Sequence, residues 1–205
     1  MRLTAVLSAS TILIASCTQL PATTSAPQAP AVPPVPARVA DNGWYLSGQQ
    51  TLRDKLAVIP NTGRARNVIL FIADGMDPTT VTAARIYDGQ QKGMSGEENV
   101  LSFETLPHLA LSKTYNTNMQ VPDSAGTASA MMTGVKTQAG RISVDETVGN
   151  ADCAGSIGHG VLTLGELAEQ AGMATGVIST ARLTHATPAT VYAHAADRDW
   201  ESDAS

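Results

Sequence analysis

The sequence predicts an α/β protein, a mostly parallel central sheet sandwiched between helices, and three observations carry that expectation. Residues 68–73 form a continuous apolar run, Val68-Ile69-Leu70-Phe71-Ile72-Ala73, that stops at Asp74-Gly75. Its length and β-branching suit a strand buried on both faces, the habit of parallel sheets. Segments of helical pattern alternate with further short apolar runs, and such alternation implies α/β layering. Composition is compatible: of 205 residues, 43% are hydrophobic and 15% charged, which suits a packed core rather than a disordered chain.

The elements follow in chain order. Residues 1–17, MRLTAVLSASTILIASC, place Arg2 ahead of a weakly apolar stretch and end in small residues before Cys17. That is the layout of an export signal, and the stretch is well short of the ~20 residues a spanning helix needs. Ile14-Ala15-Ser16-Cys17 resembles the bacterial lipobox, which implies a lipid anchor on Cys17 and a lipoprotein of the periplasm or outer membrane. An ordinary cleaved signal with an incidental cysteine is the alternative. Residues 18–43 read as a linker, with six prolines in 21–37. Proline withholds donors and fixes φ, so the stretch is expected to be an extended spacer.

The folded part is expected over 44–205. Residues 49–57 suit a short helix with Leu52 and Leu56 one turn apart, and 78–87 a second. Runs 109–115 and 174–179 are candidate strands, and 123–135, dense in small residues, a helix. Thr163-Leu164-Gly165-Glu166 has the spacing of a capping box and is expected to open a helix that ends at Gly172. The net charge is -5 and no Lys/Arg run occurs, which argues against nucleic acid as a specific partner. A phosphate monoester is not excluded, because one metal ion or one arginine can dominate a pocket locally.

Three places carry candidate chemistry. Asp74 ends a buried run and is followed by a glycine that lets the backbone turn; a carboxylate there needs a cationic partner, and a divalent metal prefers such oxygen ligands. A helix cap or rim ion pair is the other use of such an acid. Ser124, in Asp123-Ser124-Ala125-Gly126, is expected at a helix N-terminus, where free N–H groups favour an anion. With no histidine nearby in sequence, metal activation of its hydroxyl fits better than a Ser-His-Asp arrangement. Thr184-His185-Ala186-Thr187-Pro188 offers a hydroxyl at Thr187, and Arg198 offers a fork for two phosphate oxygens. Among Asp197, Asp199 and Glu201, Arg198 could equally form a surface ion pair.

The order of these motifs, from Asn67-Val68 through Asp74-Gly75-Met76, Asp123-Ser124-Ala125, Thr133-Gly134-Val135-Lys136-Thr137, His185-Ala186-Thr187-Pro188 and Arg198, resembles the alkaline phosphatase family. The resemblance covers the chain from about residue 67 to its end. It implies zinc and magnesium cofactors, with Asp74 bridging a zinc and the magnesium and Thr187 a magnesium ligand. Ser124 is the implied phosphorylated nucleophile and zinc-activated group, Asp123 orients the arginine, and Arg198 grips the substrate phosphate. His185, where the family carries Asp or His, is implied as a metal ligand or its neighbour. Small phosphate monoesters are the implied substrates; a homodimer of the full-length protein is left open by the sequence.

Two departures stand out. Asp77 occupies a place where the family often has glycine. The family's remaining zinc ligands lie downstream of the arginine motif, whereas this chain ends at Ser205. The 205 residues alone are therefore expected to show little or no activity. A phosphodiesterase or sulfatase of the same superfamily, or a non-catalytic surface lipoprotein, are the competing readings. Cys153 either pairs with a cysteine beyond residue 205 or is free.

Overall fold

The computed structural model describes residues 37–204; the signal segment, Cys17 and most of the linker expected over 18–43 lie outside the described residues. The chain divides into two compact units, one ending at Val58 and the other Ile59–Ser205. The first holds helix α1 (Ala37–Ala40) and helix α2 (Gly43–Leu56). Helix α2 starts earlier than the 49–57 expected, because the Asn42 side chain accepts from the N–H groups of Trp44 and Tyr45 and caps it there.

In the second unit, helix α3 (Pro78–Gln91) begins at a proline and is capped by Asp77, whose carboxylate accepts from Thr80 N–H at 2.6 Å. Asp77 thus has a local structural use where the family often has glycine. Helix α4 (Ser124–Thr133) is capped by Asp123 and closed by Gly134, whose φ of 74° supplies the left-handed stop. A short turn α5 (Cys153–Ser156) precedes helix α6 (Leu164–Gln170), and a single-turn helix α7 (Ala186–Ala189) follows. The capping box of α6 is formed: Thr163 N–H donates to Glu166 Oε2 at 2.8 Å, and Glu166 N–H to Thr163 Oγ1 at 3.1 Å. Cys153 is exposed and free.

The core is built from small residues. Ala125 of α4 packs with Ile142 and with Ala186 and Ala189 of α7, while Val144, Val148 and Ala196 form a second cluster. Small side chains let α4 and α7 approach closely, so the scarcity of aromatics costs this part of the fold little. Ser143 takes the left-handed region at φ 45°, and it is held there from both sides. Its N–H donates to Ser129 Oγ at 2.8 Å and its hydroxyl to Thr190 O at 2.9 Å.

The three strands expected over 68–73, 109–115 and 174–179 form no ladder among the described residues. Pairing there is confined to isolated antiparallel bridges, Asn116 with Met119, Ile142 with Ala195 and Val144 with Gly160. Phe71 is 91% and Ile178 100% exposed. A strand of the all-apolar kind is stable only with neighbours on both edges and cover on both faces, and these runs have neither here. An apolar groove of about 620 Å³, lined by Val68, Leu70, Leu167 and Ile178 among others, opens beside them.

Candidate active site

The site is assembled from four loops and helix ends of the second unit. Asp74 stands in a tight turn: Met76 N–H donates to Ala73 O at 3.2 Å, and Gly75 at φ 73° makes the reversal. Its Oδ2 accepts from the Thr187 hydroxyl at 3.1 Å, across 113 positions of sequence. Thr187 lies in α7, whose neighbours Ala186 and Pro188 are buried, so this hydroxyl is held from the core side. A carboxylate and a hydroxyl are brought together as two adjacent oxygen donors.

Asp123 is the hub of the other half. Its Oδ1 accepts from Asn116 Nδ2 at 2.8 Å and from Gly126 N–H at 3.1 Å. Its Oδ2 accepts from Gly140 N–H at 2.9 Å and from Arg198 Nη1 at 3.0 Å. Burial pushes this carboxyl up, but the donors from Gly126, Arg198, Asn116 and Gly140 outweigh it and hold the group below its ordinary range. Arg198 is therefore not paired with its sequence neighbours. Glu201 is taken by Arg182 at 2.6 Å, and Asp197 accepts from the N–H of Asp199.

Ser124 follows Asp123 as the first residue of α4, half-buried. The helix cap that fixes Asp123 also fixes the Ser124 backbone at the positive end of the helix. His185, the residue preceding α7, puts Nε2 3.4 Å from Nη2 of Arg198. A guanidinium only donates, so that contact makes Nε2 of His185 the acceptor. Side-chain contacts join these residues in two groups, Asp74 with Thr187, and His185 with Arg198 and Asp123; Ser124 is adjacent to Asp123 in the chain, and His185 lies two positions before Thr187.

Two supports escaped sequence reasoning, the Asn116 side chain and the Gly140 N–H. Asn116-Thr117-Asn118 is a turn-type run, the one local hint that something polar is presented there. His159 and His194 sit elsewhere: His159 Nδ1 pairs with Asp145 at 2.8 Å and His194 Nε2 with Glu166 at 3.0 Å.

A fixed guanidinium beside a helix-tip hydroxyl suits a site that holds a tetrahedral oxyanion against a serine. The model of the alkaline phosphatase family matches residues 65–205, and the chain belongs to that family. It is 47% identical over 171 residues to the tissue-nonspecific alkaline phosphatase of Gallus gallus, covering 82% of this chain and 33% of that protein. The Homo sapiens isozyme is also 47% identical, over 78% of this chain and 31% of the relative. The chain thus spans about a third of the length of these relatives. Among solved structures, a cold-active alkaline phosphatase from Shewanella sp. matches with TM-score 0.52 at 31% identity, over 62% of this chain and 29% of that one. The Thermus thermophilus enzyme matches with TM-score 0.51 at 28% identity, over 63% and 25%. The fold is therefore alkaline-phosphatase-like.

Proposed function

We propose that this chain carries the nucleophile and the phosphate-gripping arginine of a phosphate monoester hydrolase whose complete form has the length of its relatives. The observation that carries the reading is the Arg198–Asp123 pair at 3.0 Å, immediately beside Ser124 at the tip of α4. Arg198 holds two phosphate oxygens. The Ser124 oxygen attacks phosphorus in line, forming an O–P bond while the bond to the leaving alcohol oxygen breaks and that oxygen takes up a proton. Water then displaces the serine oxygen, releasing inorganic phosphate and restoring the hydroxyl.

Zinc and magnesium are the proposed cofactors. Asp74 Oδ2 and Thr187 Oγ1, 3.1 Å apart, fit a magnesium ion that keeps several waters. A tetrahedral zinc set needs more, and no group of three His, Cys, Asp or Glu side chains able to hold a metal occurs among the described residues. A cation held by Asp74 and Thr187, with the further ligands that such a centre needs, would supply Lewis acidity to lower the pKa of a serine hydroxyl that reached it. Replacing Ser124 by Ala in the complete protein is expected to abolish p-nitrophenyl phosphate turnover with added zinc and magnesium. Unchanged turnover overturns the assignment. The 205 residues alone are proposed to show little or no turnover under the same assay, and robust activity would refute that.

The exposed runs 68–73, 109–115 and 174–179 are proposed to pair into a mostly parallel sheet in the complete protein. Protection of their amides from hydrogen exchange there, and not in the 205-residue chain, is the expected result; equal exchange in both would count against it. Export with lipid attachment at Cys17 is proposed from residues 1–17, and a Cys17→Ser protein that still takes up labelled fatty acid rules it out.

A further inference from the structure

Asn116 is buried, at 3% exposure, yet it is poorly satisfied. Its Nδ2 donates to Asp123 Oδ1 at 2.8 Å, while its own Oδ1 is buried with no hydrogen-bond partner. The amide orientation is dictated by chemistry, because the reverse would set a carbonyl oxygen against a carboxylate. An orphaned buried acceptor is a cost that an apolar side chain of similar shape would not carry. The orphaned oxygen offsets part of what the bond to the charged Asp123 contributes, so the one polar group that this amide serves is the Asp123 carboxylate.

The surroundings are arranged for that bond. Backbone bonds between Asn116 and Met119, at 3.0 and 3.2 Å, close a tight turn, and Thr117 N–H donates to Thr137 O at 3.1 Å. The turn sets Asn116 directly against the first turn of α4. Gly126 makes room: a Cβ on it would lie 2.5 Å from Asn116 Oδ1. Three neutral donors, from Asn116, Gly126 and Gly140, then fix the plane of Asp123 and leave its fourth acceptor position to Arg198.

We propose that Asn116 is a positioning residue that aims Arg198 at the substrate phosphate by locking Asp123, an inference that rests on the phosphatase reading above. It touches neither substrate nor metal in this scheme; it acts through the carboxylate.

The test is a double-mutant cycle in the complete, metal-loaded protein, reading the Kd for inorganic phosphate by calorimetry and KM against kcat for p-nitrophenyl phosphate. N116A is expected to weaken phosphate binding about ten-fold and to raise KM more than it lowers kcat. In an R198A background the same substitution should change phosphate affinity by less than about two-fold, since its route is already cut. N116L, which removes both the donor and the orphaned oxygen but leaves no cavity, should weaken phosphate binding as N116A does while lowering the thermal midpoint less than N116A. Equal losses from N116A in both backgrounds, or an N116L protein with unaltered phosphate affinity, overturn the proposal and leave the phosphatase reading standing. An R198A protein with unaltered phosphate affinity defeats the reading of Arg198 and this proposal together.

Discussion

Arg198 Nη1 donates to Asp123 Oδ2 at 3.0 Å, joining positions 75 residues apart. The pair does two things with one carboxylate, capping α4 and holding a cation beside the residue that follows the cap. Replacing Asp123 by Asn keeps the shape and removes one acceptor. Whichever way the amide turns, its NH₂ then faces donors, either Arg198 and Gly140 or Asn116 and Gly126. D123N is expected to lower stability by about 1–3 kcal/mol and to raise KM for a phosphate monoester in the complete protein. Urea unfolding and steady-state kinetics check the two effects. Because the Asp123 carboxyl is held below 3.8, its contribution is present at neutral pH and lost as pH falls through that lowered value.

Thr163 is fully buried and its hydroxyl serves two partners, accepting from Glu166 N–H at 3.1 Å and donating to Val191 O at 2.6 Å. T163V keeps the volume and strips both bonds. A loss of about 1–2 kcal/mol is expected, seen as a lower denaturant midpoint at unchanged slope. Phosphate affinity should stay within about two-fold, since α6 contributes no side chain to the site.

His194 ties three segments together, with Nδ1 2.7 Å from Ser143 O and Nε2 3.0 Å from Glu166 Oε1. Both neighbours only accept, so the geometry asks for a proton on each nitrogen. Burial works against that charge, but the bonds to Glu166 and Ser143 prevail and raise the pKa above 6.5. Since the folded value is the raised one, the stabilisation is complete below 6.5 and fades as pH rises through the folded pKa. Urea midpoints of the wild type should therefore fall from about pH 6.5 upward, and His194→Gln should flatten that part of the profile. A wild-type profile that rises over the same range contradicts the assignment.

Local structure was legible in the sequence wherever it depended on neighbours along the chain. The Thr163–Glu166 box and the start of α3 at Pro78 follow from residue types a few positions apart, whereas the helix expected over 123–135 stops at Thr133, because Gly134 takes the left-handed region. The apolar character of 68–73 was equally plain, but a strand is a relation between segments, and among the described residues no run is paired with it. For the site, family resemblance supplied roles for Asp74, Asp123, Ser124, His185, Thr187 and Arg198; the structure pairs Asp74 with Thr187 and joins Arg198 to Asp123 and His185. Asn116 was invisible for a different reason. Its role depends on a turn closing at Met119 and on empty space over Gly126, and neither has a signature in residue type alone.

The turn at Asp74 extends from a run that nothing covers, whereas Thr187, Asp123 and Arg198 are tied to the packed α4–α7 region. The Arg198–Asp123 pair is thus backed by packed helices, while the Asp74–Thr187 bond is anchored on the Thr187 side alone. Substitutions that loosen residues 68–73 are therefore expected to displace the Asp74 carboxylate and to leave the Arg198–Asp123 pair unaltered.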